Sequence, residues 1–157
     1  MNTKAIKCQC KNNKKSLLSK DTLDEIKRLE AKNIIIIGGE NSIKVEVLDK
    51  LKNKKYSVTR IAGKDRYKTS LKIAEKVIHK SNSKQLQIAS GENFADSLVA
   101  SPYADKENAV LVLSAKDKLS SEIKEYLTKN ESIITIIGGE KSIVAIGKTS
   151  RSKIYPY

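Results

Sequence analysis

Aromatic residues are scarce in this sequence: tryptophan is absent, and one phenylalanine and six tyrosines make up 4% of the 157 residues. A core built from this chain therefore consists mostly of isoleucine, leucine, valine and alanine. No hydrophobic run approaches the roughly 18 residues that read as a membrane-spanning helix. The N-terminal segment is polar and rich in lysine, without the apolar stretch of a secretory signal peptide. As written, the chain is expected to be cytoplasmic or a fragment of an exported protein.

Cysteine and histidine are also scarce. The two cysteines, Cys8 and Cys10, lie near the N-terminus, and His79 is the single histidine. Two thiols are too few for a four-cysteine zinc site, and one histidine suits neither a histidine-based metal site nor a Ser-His-Asp triad among the expected loops. Glu92 and Asp96 face one region, but nothing marks one as a proton donor and the other as a nucleophile. We therefore predict no enzyme activity, no metal and no cofactor.

Acidic residues are outnumbered: 18 Asp and Glu stand against 31 Lys and Arg, which gives a net charge of +13. Lysines occur on nearly every polar stretch, whereas arginine, the preferred residue for bidentate phosphate recognition, is rare. Two interpretations stay open, a solvated lysine-rich surface or attraction to an acidic polymer. A basic nucleic-acid-binding protein is an alternative function. It is disfavoured because no recognition motif occurs and few aromatics are available for stacking.

One ten-residue segment occurs twice. Ile34–Ile43 returns as Ile134–Ile143, about 100 residues later, with the Gly-Gly-Glu turn intact in both copies. That spacing matches a small domain and is too long for a solenoid unit. Each β-branched run, stopped by two glycines, predicts a strand buried on both faces. The chain is therefore expected to contain one full module and part of a neighbouring copy.

Strand and helix patterns alternate from residue 18 onward. Short β-branched runs recur with short connections to helical patterns, at 34–37, 56–61, 86–89, 109–113 and 133–137. This order predicts an α/β fold, a mostly parallel sheet with helices on both faces. In such sheets ligands usually bind beyond the carboxyl ends of the strands. The loops that follow the five runs are therefore the candidate binding region.

Four segments at predicted strand ends carry a more specific signal. They are Ile37–Ser42, Arg60–Ser70, Ser90–Leu98 and Gly138–Glu140. Their order and spacing resemble the bacterial cell wall binding repeat 2 family, whose modules occur in tandem on Gram-positive surface and S-layer proteins, notably of clostridia. The resemblance covers roughly residues 18–144. It implies a Rossmann-like domain at the cell wall or cell surface, anchored non-covalently to an anionic secondary polymer and without catalysis.

The resemblance also implies a division of the chain. The family pattern runs from the Arg-x-x-Gly-x-Asp-Arg-Tyr-x-Thr motif to the Gly-Gly-Glu turn, so the complete module is expected at 60–144. Residues 18–59 resemble the C-terminal part of a preceding module. We predict a basic disordered tail at 1–17 and an irregular tail at 145–157. The expected partners are an anionic cell wall polysaccharide or teichoic-acid-like polymer, and other repeat modules through self-association.

Five polar residues are candidate polymer ligands. Arg60 and Arg66 flank the Gly63 turn, and the start of the following helix adds positive potential that favours an anion. For either arginine the alternative is internal pairing with Asp65, Asp96 or Glu92, which would order the loops. The candidate ligands are Arg60, Lys64, Arg66, Asn41 and Asn93.

Eight further residues are expected to hold the loops in shape. Glycines suit the tight turns at strand ends, and acids suit the first turns of helices. These structural residues are Gly38, Gly39, Gly63, Asp65, Gly91, Asp96, Gly138 and Gly139. A small α/β nucleotide-binding domain is the remaining alternative. It is disfavoured because neither glycine-rich phosphate loop occurs, and Glu40 places a carboxylate where phosphate would approach.

Overall fold

The computed structural model describes residues 18–81, 85–92, 94–117, 119–130, 133–138 and 152–155, in which strands and helices alternate. The described helices are α1 (Lys20–Arg28), α2 (Val45–Asn53), α3 (Arg66–Ser81), α4 (Phe94–Lys106) and α5 (Ser121–Asn130). The described strands are β1 (Asn33–Ile37), β2 (Ser57–Ile61), β3 (Gln85–Ser90), β4 (Val110–Ser114), β5 (Ile133–Ile137) and β6 (Ser152–Tyr155). Every pairing between these strands is parallel. The α/β class predicted from the sequence is confirmed.

The chain divides into two compact units, Met1–Ala62 and Gly63–Tyr157. The first unit holds α1, β1, α2 and β2, and the second holds the remaining elements. The expected start of the complete module at residue 60 lies inside β2, so this strand and Arg60 belong structurally to the first unit. The predicted basic tail at 1–17 lies outside the described residues.

In the first unit both helices pack on the same face of a two-stranded sheet. Strands β1 and β2 align so that Ile34 lies opposite Val58. Ile36 of β1 packs with Ile26 of α1 and with Leu51 of α2 in one buried cluster. The other face of the sheet therefore receives no helix from the described part of this unit.

The exposure of β1 on that face corrects one expectation. Ile35 and Ile37 are 47% and 53% exposed, so β1 is not buried on both faces as its run of isoleucines predicts. The physical reason is the placement of α1 and α2 on one side of the sheet. The repeated strand β5 behaves as predicted, since Ile134, Ile136 and Ile137 are all buried.

The second unit has a four-stranded sheet in the order β4-β3-β5-β6. Helices α3 and α5 cover one face, where Leu71 and Ile123 pack with Ile88 of the central strand β3. Helix α4 covers the opposite face, where Ala100 and Tyr103 pack with Ala89 of β3 and with Ile137 of β5. The predicted arrangement of helices on both faces is therefore found in this unit.

Strand β6 corrects the expectation of an irregular C-terminal tail. Ser152–Tyr155 pairs in parallel with β5, with Ser152 opposite Ile134 and Tyr155 opposite Ile137. Four residues are too few to show a periodicity in the sequence, and the pairing comes from the open edge of β5. The rest of the predicted tail, 145–151 and 156–157, lies outside the described residues.

An ion pair joins α3 to the first turn of α5. Lys68 Nζ lies 2.6 Å from Glu122 Oε1. The hydrogen bond from Lys68 is the largest of the effects that lower the pKa of Glu122 to about 2, and a backbone hydrogen bond and the charge of Lys68 add to it. The folded state therefore favours the ionised carboxylate.

We expect this pair to make folding weakly dependent on pH in the acid range. Because the pKa of Glu122 is lower in the folded chain, its contribution is complete above its ordinary pKa of 4.5 and is lost as pH falls toward about 2. Urea unfolding at pH 6 and pH 3 should therefore show a smaller loss of stability in Glu122→Gln than in the wild type. Glu125→Gln, which removes the exposed pair with Lys129 at the other end of α5, is the matched control. An equal loss in wild type and Glu122→Gln would contradict the assignment.

Candidate binding site

The carboxyl ends of β3 and β4 meet at one edge of the second unit's sheet. Gly91 N, just after β3, donates a hydrogen bond to Ser114 O at the end of β4, at 2.8 Å. Glu92 reaches across to the next loop, where its Oε1 accepts from Lys116 N at 3.0 Å. Glu92 N donates to Ser90 Oγ at 3.2 Å. These contacts hold together two of the loops that the sequence selects as the binding region.

The loop before α3 is fixed by Asp65 and Thr69. Lys68 N donates to Asp65 Oδ1 at 2.8 Å, which caps the helix as its sequence predicts. Thr69 Oγ1 donates to Asp65 O at 2.7 Å and accepts from Gly63 N at 2.9 Å. The turn at Gly63 is therefore closed against the first turn of α3.

The two candidate arginines each hold the carbonyl oxygen of a glycine. Arg66 Nη1 donates to Gly91 O at 2.7 Å, which joins the loop before α3 to the loop after β3. Arg60 Nη1 donates to Gly38 O at 2.7 Å within the first unit. For each arginine the structure shows a backbone partner where the sequence suggests a carboxylate. A side-chain bond to a carbonyl leaves no signal in residue types, which is why sequence reasoning misses it.

The pair of arginines is also divided between the units. Arg60 lies in β2 of the first unit, and Arg66 begins α3 of the second. Lys64 is exposed in the loop before α3, and Asn41 is exposed after β1. Asn93 and Gly139 lie outside the described residues. The structure thus gathers the loops around Arg66 and Lys64 in one unit and places Arg60 and Asn41 in the other.

Glycine at the first position of each Gly-Gly-Glu turn has a conformational reason. Gly38 has φ +115° and Gly138 has φ +134°, a region that residues with a side chain rarely adopt. Gly39 has open space around it, since a Cβ added there would have no neighbour within 4 Å. Asp96 is buried in the first turn of α4, where a carboxylate interacts favourably with the helix dipole. The first glycine of each turn thus has a backbone conformation that favours glycine, and in the first turn the second glycine has room for a side chain.

Sequence reasoning gives too little weight to the contact between Glu92 and Lys116. It treats Glu92 as an alternative partner for an arginine, whereas its carboxylate accepts from the backbone of the loop after β4. The signal for it is weak, an acid placed directly after the Ser-Gly turn that ends β3. Glu92 therefore positions the loop that carries Lys116.

Two other kinds of site can be assessed in the described part of the chain. There, no three His, Cys, Asp or Glu side chains gather as the ligands of a metal ion would. None of the described helices combines the length and the apolar character needed to cross a bilayer. Cys8 and Cys10 lie outside the described residues.

Comparison with protein families gives a match over much of the chain. The family described as "Cell wall binding domain 2 (CWB2)" matches residues 60–145. Among curated proteins, the "N-acetylmuramoyl-L-alanine amidase LytC" of Bacillus subtilis (strain 168) is 30% identical over 127 residues, which is 80% of this chain and 25% of that protein. The "Amidase enhancer" of the same strain is 39% identical over 102 residues, which is 65% of this chain and 14% of that protein.

Solved structures give the same picture. "Cwp8 from Clostridium difficile" superposes with a TM-score of 0.72 at 29% identity, over 83% of this chain and 22% of that chain. "Cwp6 from Clostridium difficile" superposes with a TM-score of 0.75 at 30% identity, over 82% of this chain and 21% of that chain. This chain thus spans a quarter or less of the length of each of these four proteins.

Proposed function

Because the chain belongs to the cell wall binding domain 2 family, we propose that it anchors a surface protein by binding an anionic secondary polymer of the wall. The chain carries a cell wall binding module, and the family is a binding family. We further propose that the ligand is anionic and that the chain catalyses no reaction. It also places the chain in a longer surface protein, since its relatives are several times longer.

The observation that supports an anionic polymer as the ligand is the chain's net charge of +13. A surface of this sign attracts a polyanion over about 8–10 Å at moderate ionic strength, and added salt weakens the attraction. Many lysines of the described residues lie on exposed positions of helices and turns, such as Lys52 and Lys54, where the ammonium group can meet a phosphate or carboxylate at the solvent boundary. A teichoic-acid-like or acidic polysaccharide chain fits such a distributed surface.

Within the second unit, the loop before α3 is the best candidate for a direct contact. Lys64 is exposed there, next to the arginine that orders the loops. Arg66 is exposed as well. Its guanidinium has five N–H donors, and one of them, on Nη1, binds Gly91 O. We assign Arg66 the double role of holding the β3 loop and presenting positive charge beside Lys64.

In the first unit, Arg60 and Asn41 are the candidates for contact with the polymer. Asn93, in the sequence of the second unit, completes the proposed ligand set. Arg60 is half-buried and holds Gly38 O, so it contributes mainly by shaping the turn that carries Asn41. An exposed amide such as that of Asn41 can both donate to and accept from sugar hydroxyls. Each unit thus supplies few contacts, and tight attachment requires several modules, which raise the effective concentration of one another's sites. Association between repeat modules is therefore part of the proposal.

The role of Lys64 can be tested by a charge-neutral substitution. Lys64→Gln is expected to weaken binding of the purified chain to Gram-positive walls about two- to fivefold, the effect of losing about 0.5–1 kcal/mol from an exposed ion pair. The fraction of protein in the pellet is measured across a wall titration at low salt. The fold is preserved because the side chain is exposed and the loop is held by Asp65 and Thr69.

Lys124→Gln is the matched control for this experiment. It removes the same charge from an exposed position on α5 of the same unit, and so changes the net charge equally. Equal weakening in both variants would mean that only total charge matters and would remove the assignment to the loop before α3. Unchanged binding in Lys64→Gln would remove it as well.

A further inference from the structure

Several exposed lysines are brought to one end of the first unit, where β1 and β2 begin. Lys32 stands directly before β1, and Lys54 and Lys55 stand in the turn between α2 and β2. The two turns are joined, because Ser57 N donates a hydrogen bond to Lys32 O at 3.0 Å. Lys52, in the last turn of α2, adds another exposed ammonium group. The basic end of the first unit is defined by Lys32, Lys52, Lys54 and Lys55.

Little negative charge offsets the basic end. None of its lysines forms an ion pair with a carboxylate in the described part of the chain. The ion pairs described in the first unit lie within α1, from Lys27 and Arg28 to acids one turn earlier. In the turns at 29–32 and 54–56, Glu30 is the single acid. The positive potential of the basic end is therefore available to a ligand.

The opposite end of the same sheet, where the sequence places Asn41 among the candidate ligands, is more evenly balanced. The loop after β1 holds one acid, Glu40, and one base, Lys44. Both helices also carry an acid in the first turn at that end, Asp21 in α1 and Glu46 in α2. A polyanion that approaches the first unit is therefore attracted mainly to the basic end.

The helix dipoles account for only part of this arrangement. A base in the last turn of a helix is favourable, and Lys52 follows that rule. Lys32 and Lys55 lie past the helix ends, where the effect of the dipole fades. Lys55 also has φ +67°, in a turn that Tyr56 N closes by donating to Leu51 O, and glycine is the usual residue at such a position. A lysine kept where glycine has less strain indicates a use for its side chain.

We propose that the basic end binds the anionic polymer of the wall, as a contact surface separate from the loops at the carboxyl ends of the strands. The inference rests on the proposed function for the identity of the ligand. Lysine presents a point charge on a flexible stem, so the basic end suits a flexible chain with repeated phosphate or carboxylate groups. It also makes the polymer contact of the first unit depend on residues that the candidate ligand set does not include.

The double variant Lys54→Gln/Lys55→Gln tests the basic end in the full chain. It should lower the affinity for Gram-positive walls about five- to twentyfold at low salt, the effect of losing two exposed ionic contacts. Its binding should also depend less steeply on salt, because fewer contacts release counterions. The matched control is Lys20→Gln/Lys44→Gln, which removes two exposed charges from the opposite end of the same unit. The control should stay within about twofold of the wild type, since salt screens charges that lie far from the contact.

The single variant Lys55→Gly separates binding from stability. Glycine removes the charge and suits the positive φ at this position. The midpoint of urea unfolding should therefore stay equal or rise, while the affinity for walls falls about two- to fivefold. A lower affinity in a chain that is no less stable supports a binding role for the side chain. Unchanged affinity would overturn the assignment of Lys55.

Walls stripped of the anionic polymer distinguish failure of this inference from failure of the proposed function. If the wild type binds intact and stripped walls alike, the anionic polymer is not the ligand and both proposals are wrong. If the wild type requires the polymer but the two double variants weaken binding equally, the basic end is not a contact surface and the proposed function stands. Unchanged binding in Lys54→Gln/Lys55→Gln would have the same meaning. Circular dichroism checks that every variant stays folded.

Discussion

Ile137→Ala is expected to cost about 2–5 kcal/mol of folding free energy, the range for truncating a large buried aliphatic side chain. Ile137 is 4% exposed and packs between β3 and α4, with Ala89 and Ala100 as neighbours. Removing its outer carbons leaves a cavity that a rigid sheet and a helix cannot close. Urea unfolding of the second unit, followed by circular dichroism, measures the loss.

The repeat provides the control for this substitution. Ile37→Ala makes the same chemical change at the equivalent position, which is 53% exposed. The expected cost is about 1 kcal/mol or less, chiefly from the lower strand propensity of alanine. Equal costs at the two positions would contradict the burial that distinguishes β1 from β5.

Gly63→Ala is expected to destabilise the second unit by about 1–3 kcal/mol, the usual cost of forcing an atom into a packed site. An added Cβ would lie 2.5 Å from Lys68 C and 2.6 Å from Thr69 N. Both are backbone atoms in the first turn of α3, so they cannot move aside as a flexible side chain can. The turn would open and strain the bond from Gly63 N to Thr69 Oγ1.

Gly39→Ala is the matched control, because nothing lies within 4 Å of the added atom. Its expected effect is within about 0.5 kcal/mol. The midpoints of urea unfolding compare the two variants with the wild type. A small loss in Gly63→Ala, or a loss of similar size in Gly39→Ala, would show that the turn before α3 is looser than the structure indicates.

The strands could be predicted from the sequence because runs of β-branched residues form them and turn residues follow these runs. The repeated isoleucines indicated both copies of one strand, β1 and β5, and strict alternation with helices indicated the parallel pairing. Asp65 was recognisable as a helix cap because an acid there satisfies the N–H groups of the first turn. Each of these features depends on neighbouring residues, which a sequence displays directly.

Features that depend on distant parts of the chain could not be predicted. The exposure of Ile37 depends on which side of the sheet α2 occupies, and strand β6 depends on an open edge of β5. Helix α4 continues through Pro102, although proline inside a helix removes one backbone hydrogen bond. Ala100 is buried in a cluster with Ala89 and Ile137, and this packing of α4 on the sheet stabilises the helix despite its proline.

The contacts in the candidate site also depend on distant parts of the chain. Residue types alone indicate positive charge near the Gly63 turn, but the glycine carbonyls bound by Arg60 and Arg66 are backbone atoms of other segments. The division of the two arginines between units also depends on the fold, because Arg60 belongs to a strand that pairs with β1. The ligand assignments to Arg60, Lys64, Arg66, Asn41 and Asn93 stay predictions.

The most direct test of the central claim is co-sedimentation of the purified chain with Gram-positive cell walls, before and after chemical removal of the anionic secondary polymer, across a salt series. We expect the chain to pellet with intact walls, to stay in solution with stripped walls, and to bind progressively less as salt screens its charge. Equal pelleting on intact and stripped walls, or binding that salt does not change, would contradict electrostatic anchoring to an anionic polymer.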